Sequence, residues 1–299
     1  MTAASDNIIG RFAPSPSGAL HFGSLLAALA SYLDIRSRGG QWLLRMEDLD
    51  PAREPPGAAD QILLTLEDLA LTWDGPVLYQ SSRLDAYSDA LAALTEQQLI
   101  YQCDCSRQRV RAMNGIYDNL CRTREVPPAG SSATRFRVPD RMCTVDDRIQ
   151  GQSRQQLIHD CGDFVLRRRD GLFAYQLAVV VDDHWQGVSD VLRGHDLLDS
   201  TPRQIALQQA LGYPQPTYAH IPVATNQRGQ KLSKQHFAHP LQRDSASDYM
   251  HQALAFLRQR PPAELRTAPP AEQLAWAIPN WDIQRVPKLA TIPVNSSFS

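Results

Sequence analysis

Lysine is nearly missing from this chain. It has 299 residues and 30 basic side chains, of which only Lys231, Lys234 and Lys288 are lysine; the rest are arginine. Two of the three lysines share one short loop-like segment, which suggests a need there for a compact, flexible point charge. No apolar run approaches the roughly 20 residues that a membrane-spanning helix needs. Residues 1–10 are polar and lack the apolar core of a signal peptide, so the cytoplasm is the expected location. The net charge of −2 excludes the overall positive balance of a general nucleic-acid binder. Any such partner would have to use local patches, such as the five arginines between Arg107 and Arg124 or the run Arg167, Arg168, Arg169. Five cysteines, an odd number in a cytosolic setting, argue against a disulfide framework. With 43% hydrophobic and 21% charged residues, the composition also excludes a mostly disordered chain.

What is present reads as an α/β protein. Residues 7–12 form a first strand, and Pro14, Ser15, Pro16, Ser17 and Gly18 break it. Leu25, Leu26, Leu29 and Leu33 then recur with helical period up to Gly39–Gly40. Residues 41–46 are a second strand that ends in an acidic turn, Glu47, Asp48, Asp50. Helices are expected over residues 58–71 and 84–98. This βαβα order predicts a parallel sheet with helices on both faces.

Residues 101–163, rich in Cys, Arg and Pro, read as an insertion that divides the core into residues 1–100 and 164–240. Within it, residues 134–138 read as a short extended piece. Strand signals return at residues 164–168. The turn Arg169, Asp170, Gly171 then leads into an apolar run over 172–181. A strand is expected at 188–193 and a helix at 197–211. Residues 241–299 read as short, Pro-interrupted helices with a polar tail.

The break after the first strand is a candidate phosphate site. It opens a helix whose N-terminal N–H groups suit an anion, and Gly18 and Gly23 permit close approach. His21 could donate to a phosphate oxygen there. The cysteine trio Cys103, Cys105 and Cys121 has a spacing that suits a zinc ion. Water, Asp104, Tyr117 and Cys143 compete for the fourth position, and three free thiols are the other reading of the same spacing.

Taken as a string, Arg11-Phe-Ala-Pro-Ser-Pro-Ser-Gly-Ala-Leu-His21-Phe22-Gly23-Ser24 resembles the first signature of class I aminoacyl-tRNA synthetases, in its glutamyl/glutaminyl branch. Lys231-Leu232-Ser233-Lys234-Gln235 resembles the second. Ser24 and Gln235 depart from the usual final residues of the two motifs. Nearly the whole chain resembles the short glutamyl-Q tRNA(Asp) synthetase family, which has no anticodon-binding domain after the second signature.

That resemblance implies a Rossmann-like core carrying a zinc-bearing insertion and a short helical C-terminal extension. It implies ATP-dependent activation of L-glutamate without tRNA, then transfer to queuosine at the wobble position of tRNA(Asp). His21, Lys231 and Lys234 would be the catalytic residues. Pro14, Ser17, Gly18, His21, Gly23, Ser24 and Lys234 would bind ATP, which enters with Mg²⁺. Arg11, Ala13, Ser15, Glu47, Tyr175 and Arg193 would bind glutamate. Cys103, Cys105, Tyr117 and Cys121 would hold Zn²⁺. Arg193 implies the choice of substrate, because its fork pairs with a second carboxylate and would reject a neutral amide. The competing readings are a truncated enzyme that charges tRNA 3′ ends, a nucleotidyltransferase that adenylates a small carboxylate, and a non-catalytic RNA-binding paralogue.

Overall fold

The structure, a computed structural model, describes residues 7–113, 116–124, 130–232 and 239–294. Its strands are β1 (Ile9–Phe12), β2 (Gln41–Met46), β3 (Leu78–Tyr79), β4 (Ile100–Cys103), β5 (Ala133–Phe136) and β6 (Met142–Asp147), followed by β7 (Gly151–Gln156), β8 (Val165–Arg167), β9 (Asp190–Gly194), β10 (Thr217–Ile221), β11 (Val223–Thr225) and β12 (Thr291–Pro293). Its α-helices are α1 (Phe22–Arg36), α2 (Ala58–Asp68), α3 (Leu84–Glu96), α4 (Arg107–Arg111), α5 (Leu157–Asp160), α6 (Tyr175–Trp185), α7 (Thr201–Leu211), α8 (Ala246–Phe256) and α9 (Pro270–Asn280).

One seven-stranded sheet runs β3-β2-β1-β9-β10-β6-β7, parallel except for the last pair. The chain builds outward from β1 through β2 and β3, and later resumes on the other side of β1 with β9 and β10. Strand order therefore reverses beside β1, and in an open α/β sheet the crevice at the strand C-termini there is where ligands bind. Arg11 and Phe12 end β1, and Arg193 and Gly194 end β9, so both reach this crevice.

Helix α1 packs beneath it. Leu25, Leu26, Leu29 and Leu33 are all essentially inaccessible, each stabilising the fold by about 1.5–3 kcal/mol relative to an exposed leucine. Helices α8 and α9 pack on α1 from the C-terminal region. The expected Rossmann-like α/β core and C-terminal helices are therefore present.

Two sequence expectations change, and the apolar run over 172–181 gains its state. The insertion does not hold residues 142–156: these form the β6–β7 hairpin on the edge of the main sheet. Its strands are polar because one face meets solvent. Strand β8 lies outside the main sheet and completes a separate antiparallel sheet, β4-β5-β8. The apolar run after Gly171 is the start of helix α6, which is buried almost all round over Leu177–Asp183 and so lacks the polar stripe that marks a surface helix.

Candidate active site

A cleft of about 730 Å³ opens at the reversal point. Its walls include Arg11, Ala13, Pro14, Ser15 and Ser17 from the segment after β1, and His21, Gly23 and Ser24 from the start of α1. Glu47, Tyr175, Arg193 and Lys231 complete the set of expected residues along it. Gly18 sits on the turn before α1 with φ +131 and does not line the cleft. Lys234, with Ser233 and Gln235, lies outside the described residues.

His21 is the N-cap of α1, in extended conformation, and its Nδ1 accepts the Ser24 backbone N–H at 3.3 Å. A ring nitrogen that accepts carries no proton, so a neutral His21 keeps its proton on Nε2. Gly23 is fitted against that ring: a Cβ there would lie 3.1 Å from His21 Cε1 and 3.2 Å from Nδ1. The backbone of Lys231 bridges to Thr225, and its ammonium pairs with Asp196 at 2.6 Å. Strand β11 thus anchors the root of the second signature at the cleft.

The floor is charged. Arg11 donates through Nε and Nη2 to the two oxygens of Asp183, at 3.0 and 3.3 Å. Arg45, fully buried, donates to the same carboxylate at 2.7 Å and to Gln186 Oε1 at 2.7 Å. Beside the guanidinia of Arg11 and Arg45, the Asp183 carboxyl stays below its usual range despite burial. Glu47 is held by its backbone N–H, which donates to Pro14 O at 2.9 Å, and its carboxylate is 3.7 Å from Arg45. Burial outweighs the attraction of Arg45 and Arg11 and pushes Glu47 up to about 7.

On the opposite side, Arg193 Nη1 donates to Tyr175 Oη at 3.1 Å and Nη2 to Thr201 Oγ1 at 2.8 Å. Its Nε donates to His220 Nε2 at 3.0 Å. The site therefore combines a phosphate-suited helix N-terminus, a carboxylate able to take an ammonium, and two buried guanidinium groups, of which that of Arg11 is paired with Asp183 and that of Arg193 has neutral partners.

Asp183, Arg45, Asp196, Thr201, His220 and Asp147 belong to this arrangement but not to the expected set. For Asp183 a signal was present: Asp182 and Asp183 follow Val179, Val180 and Val181, and two acids in an apolar run need partners. Asp182 finds Tyr87, Gln80 and Arg83.

The four expected metal ligands also converge. The sulfurs of Cys103, Cys105 and Cys121 lie within 4.8 Å of one another. Tyr117 Oη is 3.4 Å from Cys103 Sγ and 3.5 Å from Cys105 Sγ, and Cys105 Sγ is 3.6 Å from Cys121 Sγ. A tetrahedron with thiolate–zinc arms of about 2.3 Å has edges of roughly 3.8 Å between sulfurs and roughly 3.5 Å from sulfur to oxygen, so the donors fit such an ion. Of the competing fourth ligands, Asp104 pairs with Arg124 at 2.9 Å, and Cys143 is on β6 in another sheet. The Arg135 guanidinium lies 3.8 Å over the Tyr117 ring and fixes its plane.

Comparison with known proteins agrees with this layout. Residues 7–260 match the family described as tRNA synthetases class I (E and Q), catalytic domain. The chain is 55% identical over 284 residues to the Glutamyl-Q tRNA(Asp) synthetase of Ectopseudomonas mendocina, covering 95% of this chain and 96% of that protein. It is 51% identical over 293 residues to the protein of that name from Pseudomonas aeruginosa PAO1, covering 97% and 98%. Among solved structures, the glutamate-tRNA synthetase of Elizabethkingia anophelis shares the fold, with a TM-score of 0.81 at 23% identity over 97% of this chain and 68% of that one. None of the described helices is long and apolar enough to cross a membrane. The chain belongs to the class I tRNA synthetases of the E and Q branch, within the glutamyl-Q tRNA(Asp) synthetase family.

Proposed function

We propose that this enzyme activates L-glutamate with ATP in the absence of tRNA and transfers the glutamyl group to queuosine at the wobble position of tRNA(Asp). The observation that carries the reading is the meeting, in one cleft, of Arg193, Glu47 and Arg11 with the His21-capped start of α1. Glu47 takes the substrate ammonium. The Arg11 and Arg193 guanidinium groups lie toward its two carboxylates, Arg11 with Nε and Nη2 already on Asp183, and Arg193 favours glutamate over glutamine because an amide would leave a buried cation uncompensated. Ala13 and Ser15 shape the wall around the amino acid. Pro14, Ser17, Gly18, Gly23 and Ser24 form the phosphate-binding turn.

In the first step a glutamate carboxylate oxygen attacks the α-phosphorus of ATP, which enters with Mg²⁺. The new P–O bond forms as the bond to pyrophosphate breaks, leaving glutamyl-adenylate. No protein nucleophile is needed, so the work of the site is alignment and charge stabilisation. His21 Nε2–H and the α1 N-terminus face the phosphates. Lys231 and Lys234 oppose the charge that develops on pyrophosphate. In the second step a queuosine hydroxyl oxygen attacks the acyl carbon, an ester forms, AMP leaves and the hydroxyl proton is lost with it.

Cys103, Cys105, Cys121 and Tyr117 would hold Zn²⁺, and so bound it would tie the end of β4 to the Tyr117–Cys121 segment and supply folding energy there.

The test is radiolabelled glutamate and ATP with tRNA from queuosine-containing and queuosine-deficient cells, before and after removal of the 3′-terminal adenosine. Label that survives trimming and requires queuosine is the expected result. Label that is lost on trimming and ignores queuosine would make this a 3′-end synthetase. Glutamate activation with no labelled RNA would leave an enzyme that adenylates a small carboxylate.

A further inference from the structure

Arg193 differs in the company it keeps from Arg11, which also lines the cleft, and from Arg45, buried beneath it. Arg11 and Arg45 both pair with Asp183. Arg193 is equally buried, yet among the described residues its partners are all neutral: His220, Tyr175, Thr201 and the Leu197 carbonyl. A buried guanidinium with no anion is expensive to maintain and invites one.

Its geometry is set from behind. Arg193 and His220 are paired across β9 and β10 in the sheet register. An arginine has no acceptor, so where Nε meets His220 Nε2 at 3.0 Å the imidazole must accept. That places the single proton of a neutral His220 on Nδ1, which faces Asp147 Oδ2 at 2.6 Å. The Asp147 carboxylate is itself fixed by the backbone N–H groups of His220, Ile149 and Gln150, at 3.2, 2.9 and 2.8 Å. His220 is wholly inaccessible, and burial, together with the Arg193 cation, pushes its imidazole down to about 4 in spite of Asp147. The ring therefore stays neutral at working pH.

We propose that Asp147 and His220 form a positioning relay that sets the plane of the Arg193 fork while leaving its charge unneutralised for a dicarboxylic substrate. Asp147 fixes the imidazole tautomer, and the imidazole supplies a directional acceptor with no charge of its own. A carboxylate in the place of His220 would orient the fork and cancel the charge that the substrate needs to meet. The relay rests on the reading that the cleft takes glutamate, and it adds the residues that enforce that choice.

The test is glutamate-dependent ATP–pyrophosphate exchange with the full chain, with thermal melting to establish folding. His220→Gln keeps an oxygen acceptor near the Nε2 position, whereas His220→Leu keeps none. Losing one hydrogen bond to a charged group predicts that H220L raises KM for glutamate by about 10- to 100-fold. KM for ATP stays within about twofold, and H220Q recovers most of the loss. Asp147→Asn frees the tautomer and raises KM for glutamate by an intermediate factor. Discrimination between glutamate and glutamine falls in the same order.

The relay is overturned if H220L leaves KM for glutamate unchanged, if both KM values rise together, or if H220Q is as impaired as H220L. Should H220L fail to fold, H220Q and D147N decide: normal glutamate KM in D147N, or a large loss in H220Q, overturns it. Absence of glutamate-dependent exchange in the unsubstituted protein overturns the glutamate reading and the relay with it. Exchange that ignores positions 220 and 147 overturns the relay alone.

Discussion

Two glycines offer a matched test of the proposed metal-binding corner. Gly162 and Gly212 have nearly the same left-handed backbone, φ +65 and +70, but opposite surroundings. A Cβ on Gly212 meets nothing within 4 Å, whereas one on Gly162 would sit 2.4 Å from the Tyr117 carbonyl oxygen and 3.0 Å from the Tyr117 nitrogen. Alanine at either site carries the left-handed penalty of about 1–2 kcal/mol. At Gly162 there is a further cost, because a carbon–oxygen contact relaxes only at roughly 3.3 Å. The Tyr117 backbone must therefore move by nearly 1 Å, far outside the ~0.2 Å tolerance of a metal–ligand distance. Overpacking of this kind costs about 1–3 kcal/mol.

Tyr117 is the one candidate ligand that bears this displacement directly. The excess therefore falls on zinc binding, and converts to a zinc affinity roughly 5- to 150-fold weaker in Gly162→Ala than in Gly212→Ala. The assay is competition for the metal with a chromophoric chelator, alongside melting curves for both variants. Gly212→Ala should keep its zinc and lose a few degrees in Tm. Equal zinc affinity in the two variants would refute the argument that Tyr117 completes the site and that Gly162 holds it in place.

Three other outcomes follow from the cleft. Glu47, pushed up to about 7, must be ionised to hold an ammonium; KM for glutamate should rise as pH falls below about 7, approaching tenfold per unit, and Glu47→Gln should flatten that profile. An acid whose folded pKa is raised favours folding when protonated. The empty enzyme should therefore lose up to about 3 kcal/mol of stability between pH 4.5 and 7 that E47Q does not lose. Asp183→Asn leaves Arg11 and Arg45 buried without their shared anion and should cost about 3–5 kcal/mol in denaturant unfolding; a loss below 1 kcal/mol would mean that water reaches the floor. Gly23→Ala presses on the His21 ring from 3.1 Å. It should slow adenylate formation by about tenfold with little change in Tm, since alanine is the better helix former by about 1 kcal/mol; unchanged turnover would separate His21 from the reaction.

The two faces of the cleft were not equally legible, and the difference is physical. Arg11, His21 and Glu47 lie on short segments next to clear periodic elements, β1, α1 and β2, so their positions in the fold follow from those elements, while the roles of Arg11 and Glu47 come from the family resemblance alone. Asp147 and His220 lie on β6 and β10, which the sequence reading did not identify as strands. In β6 the side chains of Val145 and Asp147 point inward between exposed neighbours. Apolar–polar alternation is the signal of a half-solvated strand, and an acid in an inward slot destroys it. That acid is tolerated because the backbone N–H groups of the β6–β7 turn and the His220 imidazole satisfy it. His220 likewise replaces an apolar residue at a fully buried position of β10. The strand pattern is thus broken at the two positions that hold Arg193 in place. A protein keeps a buried acid and a buried imidazole in a sheet where their removal would cost more than the packing they displace, and such local violations concentrate where the site is built. The same reasoning applies to Asp182 and Asp183 in α6, where two acids interrupt a run of valines and one of them anchors both arginines of the cleft floor. In this fold the charged exceptions to the hydrophobic pattern, more than the pattern itself, lead to the residues that hold the buried arginines at the cleft.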